Sequence, residues 1–99
     1  MTGIELIAQE RTRQIEVEGW DSTHDASHAD GELSIAAACY AVNKLPGLSV
    51  AEYGNMDAWP WHEEWDKRRK HDRLRSLVVA GALIAAELDR LIAEGESAA

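Results

Sequence analysis

His24, Asp25, His28 and Glu32 are the residues of this chain whose types and spacing could do chemistry. They lie within Gly19 to Val42, GWDSTHDASHADGELSIAAACYAV, where a polar stretch runs directly into an apolar one. Ser27-His28-Ala29-Asp30 has the form of a capping box, which predicts a helix starting near His28. On that helix His28 and Glu32 stand four residues apart on one face, with His24 and Asp25 within reach of its first turn. His24 and His28 have the spacing used on metal-binding helices. A closed zinc site lacks a fourth member, however, because Cys39 belongs to the apolar helix and His62 and His71 lie in another region. Magnesium held by oxygen ligands such as Asp25 and Glu32, with waters completing the shell, is easier to build. Either His24 and His28 bind metal or they hold the connector by hydrogen bonds. No phosphate-cradling G-x-x-x-x-G-K-[ST] loop, dinucleotide G-x-G-x-x-G turn or Gly-bracketed Ser is present, so nucleophilic catalysis has no support.

A second concentration of chemistry follows at Trp59-Pro60-Trp61-His62-Glu63-Glu64-Trp65, which holds three of the four tryptophans. These rings either cap the open end of a helical bundle or stack on a nucleobase. Next, Lys67, Arg68, Arg69, Lys70, Arg73 and Arg75 gather six of the ten basic residues. Such a run is either a solvated helix face or a site for phosphate. Arg11 falls inside the apolar stripe of the first helix, where it either snorkels or pairs with a carboxylate, or points into the acidic cluster.

Ninety-nine residues, 45% of them hydrophobic, make one small domain. The net charge of -8 argues against a duplex nucleic-acid partner, which requires a broad basic face. One cysteine allows no internal disulfide and fits a reducing, cytoplasmic setting. No run approaches a membrane span and no leader pattern opens the chain, so neither a membrane nor export is expected.

The elements that must position these residues are helices. Thr2 to Glu18 carries Ile4, Ile7, Ala8 and Ile15 on one stripe, with Glu10, Arg13, Gln14 and Glu18 as ordinary surface residues and Gly19 as the stop. Leu33 to Val42 is apolar on every side and therefore central. From about Asp66 to Ala93 the longest helix keeps the helical period through Leu74, Leu77, Val78, Gly81, Ile84, Ala85, Leu88 and Leu91. Gly81 would let another helix approach closely. Connectors fall at about 19–27 and 43–63, the latter with Gly-bearing breaks at Lys44-Leu45-Pro46-Gly47 and Tyr53-Gly54-Asn55, and the tail 95–99 frays. The expected class is all-α: three main helices, a bundle completed by a partner chain, and hence a homo-oligomer.

The ordered set Glu10-Arg11-Thr12-Arg13-Gln14-Ile15, Glu18-Gly19-Trp20, His24-Asp25, Gly31-Glu32-Leu33, Ala36-Ala37, Tyr40-Ala41, Trp59-Pro60-Trp61 and Ala80-Gly81-Ala82-Leu83-Ile84-Ala85-Ala86-Glu87 resembles small phage and prophage proteins. These are related to the dATP/dGTP diphosphohydrolase N-terminal family, within the MazG-like all-α nucleoside triphosphate pyrophosphohydrolases. The resemblance implies a helical oligomer in the cytoplasm of an infected or lysogenic bacterium, binding a nucleotide through Mg²⁺ and releasing pyrophosphate when a metal-activated water attacks. It implies Glu32 and Asp25 as catalytic and metal-holding carboxylates, with Asp72 as a further candidate metal ligand. His24, His28, Arg11, Arg68, Arg69, Arg73 and Arg75 would face the ligand, and Trp20, Trp59 or Trp61 would stack on its base. MazG-like enzymes carry E-x-x-E where this chain has Ala29 before Glu32, and E-x-x-D where it has Ser76 and Val79. Those replacements motivate two alternatives: a non-catalytic sponge that sequesters a nucleotide signal used in bacterial defence, and a helical module that docks on a host protein.

Overall fold

Thr2 starts the first helix. Its hydroxyl accepts the Glu5 N–H (3.2 Å) and the Glu5 carboxylate accepts the Thr2 N–H (2.9 Å), so both members of a capping box are in place. A computed structural model describes residues 1–47, 52–53 and 56–98, and in it the chain is mostly helical. Helix α1 spans Gly3–Glu16. Gly19 then takes a left-handed turn (φ 76°) that residues with a Cβ rarely adopt, and the Trp20 N–H reaches back to the Gln14 carbonyl (2.9 Å).

The connector expected at 19–27 is itself partly helical. Asp21 caps a five-residue helix, α2 (Ser22–Ala26), by accepting the His24 N–H at 3.0 Å. The helix expected to start near His28 begins instead at Glu32, after the left-handed Gly31, and α3 is Glu32–Val42. Ser27 does not cap it: its hydroxyl donates to the His24 carbonyl (2.6 Å) and closes α2. Beyond α3, Glu52–Tyr53 (β1) pairs antiparallel with Met56–Asp57 (β2) inside the stretch read as a connector. The Gly54-Asn55 break lies outside the described residues.

The last helix also starts later than expected. Single 3-10 turns occupy Glu63–Trp65 and Arg68–Lys70, and α4 runs Arg73–Ala98, about 39 Å at 1.5 Å per residue. Asp66 uses its carboxylate to hold the Arg68 N–H (3.0 Å), which bends the chain before a helix can form, and Asp72 accepts the Arg75 N–H (2.8 Å) as an N-cap does. The tail expected to fray from Gly95 continues the helix to Ala98; Ala99 lies outside the described residues.

Helix α4 is the common partner against which α1, α2 and α3 all pack. Leu33, Ala36, Ala37 and Tyr40 of α3 meet Val79, Ala80, Leu83 and Ala86 of α4, and Trp20, Trp59 and Trp61 close over that cluster. Cys39 of α3 is fully buried, and burial pushes its thiol above the ordinary range.

Two expected core faces are turned outward. On α1, Ile4 is 82% exposed and Ile15 40%, while the fully buried residues are Glu10 and Gln14. Ile7 alone of that stripe packs inward, onto Gly81: a Cβ there would stand 2.5 Å from the Ile7 Cδ1 atom, so the close approach that Gly81 permits is made by α1. On α4, Val78 of the expected stripe is buried, but Leu74, Leu77, Ile84, Leu88 and Leu91 are all between 45% and 62% exposed. Small residues explain the rotation. Ala80, Ala82 and Ala86 let α3 and α1 come close, and the large side chains are left on the opposite side. Likewise α3 is not covered all round, since Ile35 and Ala38 reach solvent. Among the described residues no helix is long and apolar enough to cross a membrane.

Candidate functional site

A cavity of about 610 Å³ lies between α1, α3, α4 and the Trp59–Lys67 segment, and all four tryptophans and all four histidines of the chain line it. Their rings form a continuous series. Trp20 stacks on His24 (centroids 5.7 Å, planes 11° apart), His24 meets His28 at 4.7 Å, and His28 meets Trp61 at 5.2 Å. Trp61 and Trp59 cross at 90°, Tyr40 stands against Trp59 at 5.8 Å, and His71 completes the series at 6.0 Å from Tyr40. Edge-to-face and offset contacts of this kind hold aromatic rings in fixed orientations.

The segment carrying Trp59 and Trp61 is fastened from beneath. Arg68 is buried, and its guanidinium donates to Asp66 (2.6 Å) and Asp57 (2.8 Å) while lying 5.1 Å from the Trp59 ring centre. The Trp59 indole donates to the His62 carbonyl at 3.3 Å, and the Tyr40 hydroxyl accepts the Lys67 N–H at 3.2 Å. For Asp66, burial alone would raise the pKa, but the Arg68 hydrogen bonds outweigh it and hold the carboxyl below the usual range. Asp57 is likewise held low, chiefly by Arg68.

The floor of the cavity is polar. Glu10 is 1% exposed and accepts from Arg13 (2.7 Å), Gln14 (3.0 Å) and Arg75. Burial pushes its pKa up, yet the Arg13, Arg75 and Gln14 contacts together leave it below the ordinary carboxylate value. Two polar atoms at the cavity wall lack partners: the Oε1 of fully buried Gln14 and the indole Nε1 of Trp61. An unpaired buried acceptor and donor are costly unless a ligand or water meets them.

Behind the ring series lie the two carboxylates expected to hold metal. Asp25 is 1% exposed; it receives Arg11 on Oδ2 (2.8 Å) and the His24 ring on Oδ1 (3.0 Å). Arg11 also donates to the Trp20 carbonyl (3.2 Å), so it reaches the acidic cluster and is not a snorkelling residue. Glu32 takes His28 Nδ1 on Oε2 (3.1 Å) and the Asp30 N–H on Oε1 (2.7 Å). Burial opposes ionisation of Glu32, and the hydrogen bonds, including that from His28, nevertheless hold its pKa low.

Of the sequence-predicted site residues, Trp20, His24, His28, Trp59 and Trp61 are brought together in the cavity wall. The predicted phosphate ligands are placed elsewhere. Arg68 serves the Trp59 segment, Arg73 donates to the Ala41 and Asn43 carbonyls at the end of α3, Arg75 holds Glu10, and Arg69 is exposed on its 3-10 turn. Asp72 caps α4. Among the described residues no group of three or more His, Cys, Asp or Glu converges to hold a metal; Asp25 accepts from Arg11 and His24, and Glu32 from His28 and the Asp30 N–H. Ser76 is buried and accepts from Asn43 Nδ2 (2.8 Å).

Sequence reasoning missed Glu10, Arg13, Gln14 and Glu18, placed at the surface, and His62 and His71 as members of the same wall. One signal was available: from Gln9 to Gln14 α1 offers no apolar residue, so a helix that buries this stretch must bury polar groups. The fold and the site together define a mostly helical chain built round an aromatic, histidine-lined cavity. Compared with known protein families, with curated proteins and with solved structures, the chain matches none.

Proposed function

We propose that this chain binds a nucleotide, taking its base between the tryptophan and histidine rings. The observation that carries the reading is the cavity wall itself: flat aromatic faces joined to one unpaired buried acceptor, Gln14 Oε1, and one unpaired donor, Trp61 Nε1. Flat faces suit a planar heterocycle, and a base edge carries both an N–H for Gln14 and a ring nitrogen or carbonyl for Trp61. Of the basic run, Lys67 is the cation in the wall, its ammonium donating to the Glu64 carbonyl (3.1 Å), and it is the candidate for phosphate in place of the Arg68 to Arg75 group.

Binding is favoured over turnover. A Mg²⁺-dependent pyrophosphohydrolase, which the resemblance implies, requires carboxylates free to hold the ion and a base for the attacking water. Asp25 and Glu32 each already accept two hydrogen bonds from the protein. Retention of an intact nucleotide, as in a sponge for a defence signal, is therefore the form of the proposal that the site supports best.

The assembly belongs to the same proposal. Leu74, Leu77, Ile84, Leu88 and Leu91 keep the spacing of the seam of a helix that packs against another, with Ile7 already seated on the intervening Gly81, and all five are exposed. A second copy of the chain is the occupant proposed.

Incubation with a panel of nucleoside triphosphates and cyclic nucleotides, with Mg²⁺ or EDTA, tests the reading, with chromatography after denaturation. Ligand withdrawn from solution and recovered intact, with quenched tryptophan fluorescence, is the expected result. Monophosphate and pyrophosphate appearing only with Mg²⁺ would establish the enzyme instead. No binding to any member would refute both and favour the docking module.

A further inference from the structure

The two histidines at the cavity wall meet through the nitrogens that their carboxylates leave free. His24 Nε2 and His28 Nε2 are 3.4 Å apart. Each Nδ1 faces a carboxylate oxygen, Asp25 Oδ1 at 3.0 Å and Glu32 Oε2 at 3.1 Å. An ionised carboxylate only accepts, so both Nδ1 atoms carry the hydrogen, and this tautomer follows from the partners. In the neutral rings both Nε2 atoms are then bare lone pairs aimed at one another. Two acceptors in that position require a cation between them.

We propose that His24 and His28 chelate one divalent transition-metal ion of the zinc class through their Nε2 atoms. The separation fits: two ligands on a tetrahedral ion with bonds of about 2.0–2.1 Å stand roughly 3.3–3.4 Å apart. The far nitrogens are engaged as in metal sites where a carboxylate fixes the tautomer and raises the basicity of a ligating histidine. Asp25 and Glu32 therefore orient the ligands and do not ligate. Imidazole pairs select zinc, copper or nickel over magnesium, which takes oxygen ligands.

The rings are also held in place before any ion arrives. Trp20 is stacked on His24, Trp61 lies against His28, and Arg11 fixes Asp25 from its other oxygen at 2.8 Å. Two protein ligands leave two positions of a tetrahedral ion for water or for an oxygen of a bound molecule. The site stands on ring geometry alone and is independent of whether a nucleotide binds.

The test is metal binding by untagged, metal-free protein in the absence of nucleotide. Co²⁺ absorption reports the coordination, and a chromophoric chelator in competition reports Zn²⁺ affinity. One equivalent per chain is expected. His24→Gln and His28→Gln should each weaken it by on the order of tenfold or more, and Glu32→Gln by roughly tenfold through loss of orientation. His71→Ala, in the same wall but without a facing nitrogen, should bind as the parent does. Circular dichroism of each metal-free variant identifies any that fails to fold, and the remaining two then decide. Equal affinity in parent and folded histidine variants, or no uptake by the parent, would overturn the site and leave a shared proton as the cation between the rings.

Discussion

Glu10 is the side chain whose removal should be felt most, and Glu10→Gln is the informative change because it preserves shape. The carboxylate is fully buried and accepts from Arg13 Nε and Nη2 (2.7 and 3.0 Å), Gln14 Nε2 (3.0 Å) and Arg75. An amide keeps one acceptor and presents an NH₂ to groups that are themselves donors. Charge-assisted bonds contribute about 1.5–3 kcal/mol against about 0.5–1.5 for neutral ones, so several such conversions suggest a gross loss of some 4 kcal/mol. Arg13 and Arg75 are 41% and 36% exposed at their side chains and recover water when released, which reduces the expected net loss to about 2 kcal/mol. For a domain of this size that lowers Tm by about 8–16 °C. The pH dependence gives a second, independent reading. The folded pKa of Glu10 lies below its ordinary 4.5, so its contribution is fully present above that value and is lost as pH falls through the folded one. Thermal melts followed by circular dichroism at pH 7, 5, 4 and 3 should show a constant gap between parent and variant down to about pH 5, then a narrowing one. A gap under about 3 °C at pH 7, or one that widens in acid, would refute the picture of a buried carboxylate held ionised by its neighbours.

Gly81→Ala should destabilise the protein by about 1–3 kcal/mol, because the new methyl group meets Ile7, and Ile7→Ala in the same chain should recover part of the loss in urea titrations. Trp61→Phe removes an unpaired buried N–H and should leave Tm unchanged or slightly raised while weakening ligand binding, as read by titration calorimetry. Leu77→Glu with Leu88→Glu should convert the expected dimer to a monomer of 10.9 kDa in sedimentation experiments without loss of helicity. Cys39 should react with a thiol reagent only at the rate of unfolding, since it is buried and its thiol is held protonated.

The existence of α1, α3 and α4 was legible because periodic apolar spacing and caps are local properties, whereas the short α2 fell in a stretch read as a connector. Which face each helix buries was not. From Val78 to Ala86 the last helix is apolar on all sides, so one stripe of large residues and another of small ones both satisfy the pattern. Size favours the Leu74 to Leu91 stripe as core, but the chain packs Val79, Leu83 and Ala86 against Ala36 and Ala37, where small surfaces allow close approach. Buried polar groups were hidden for a related reason. Of the partners of Glu10, Arg13 and Gln14 are one turn away, but Arg75 is 65 residues away, and no local rule connects that pair.

The histidine pair shows how a correct spacing can arise from a different geometry. A four-residue interval suggested two ligands one turn apart on a single helix, yet that helix does not exist: α2 ends at Ala26 and α3 starts at Glu32. The rings still converge because Asp25, within α2, holds one and Glu32, at the start of α3, holds the other. The two carboxylates were singled out from their type and position, and each is hydrogen-bonded to one of the histidines. They face the Nδ1 side of the imidazoles, which leaves the two Nε2 atoms facing one another. Both proposals, a nitrogen-ligated metal and retention of the ligand, are therefore argued from one arrangement of four side chains, and the metal and nucleotide experiments test them separately.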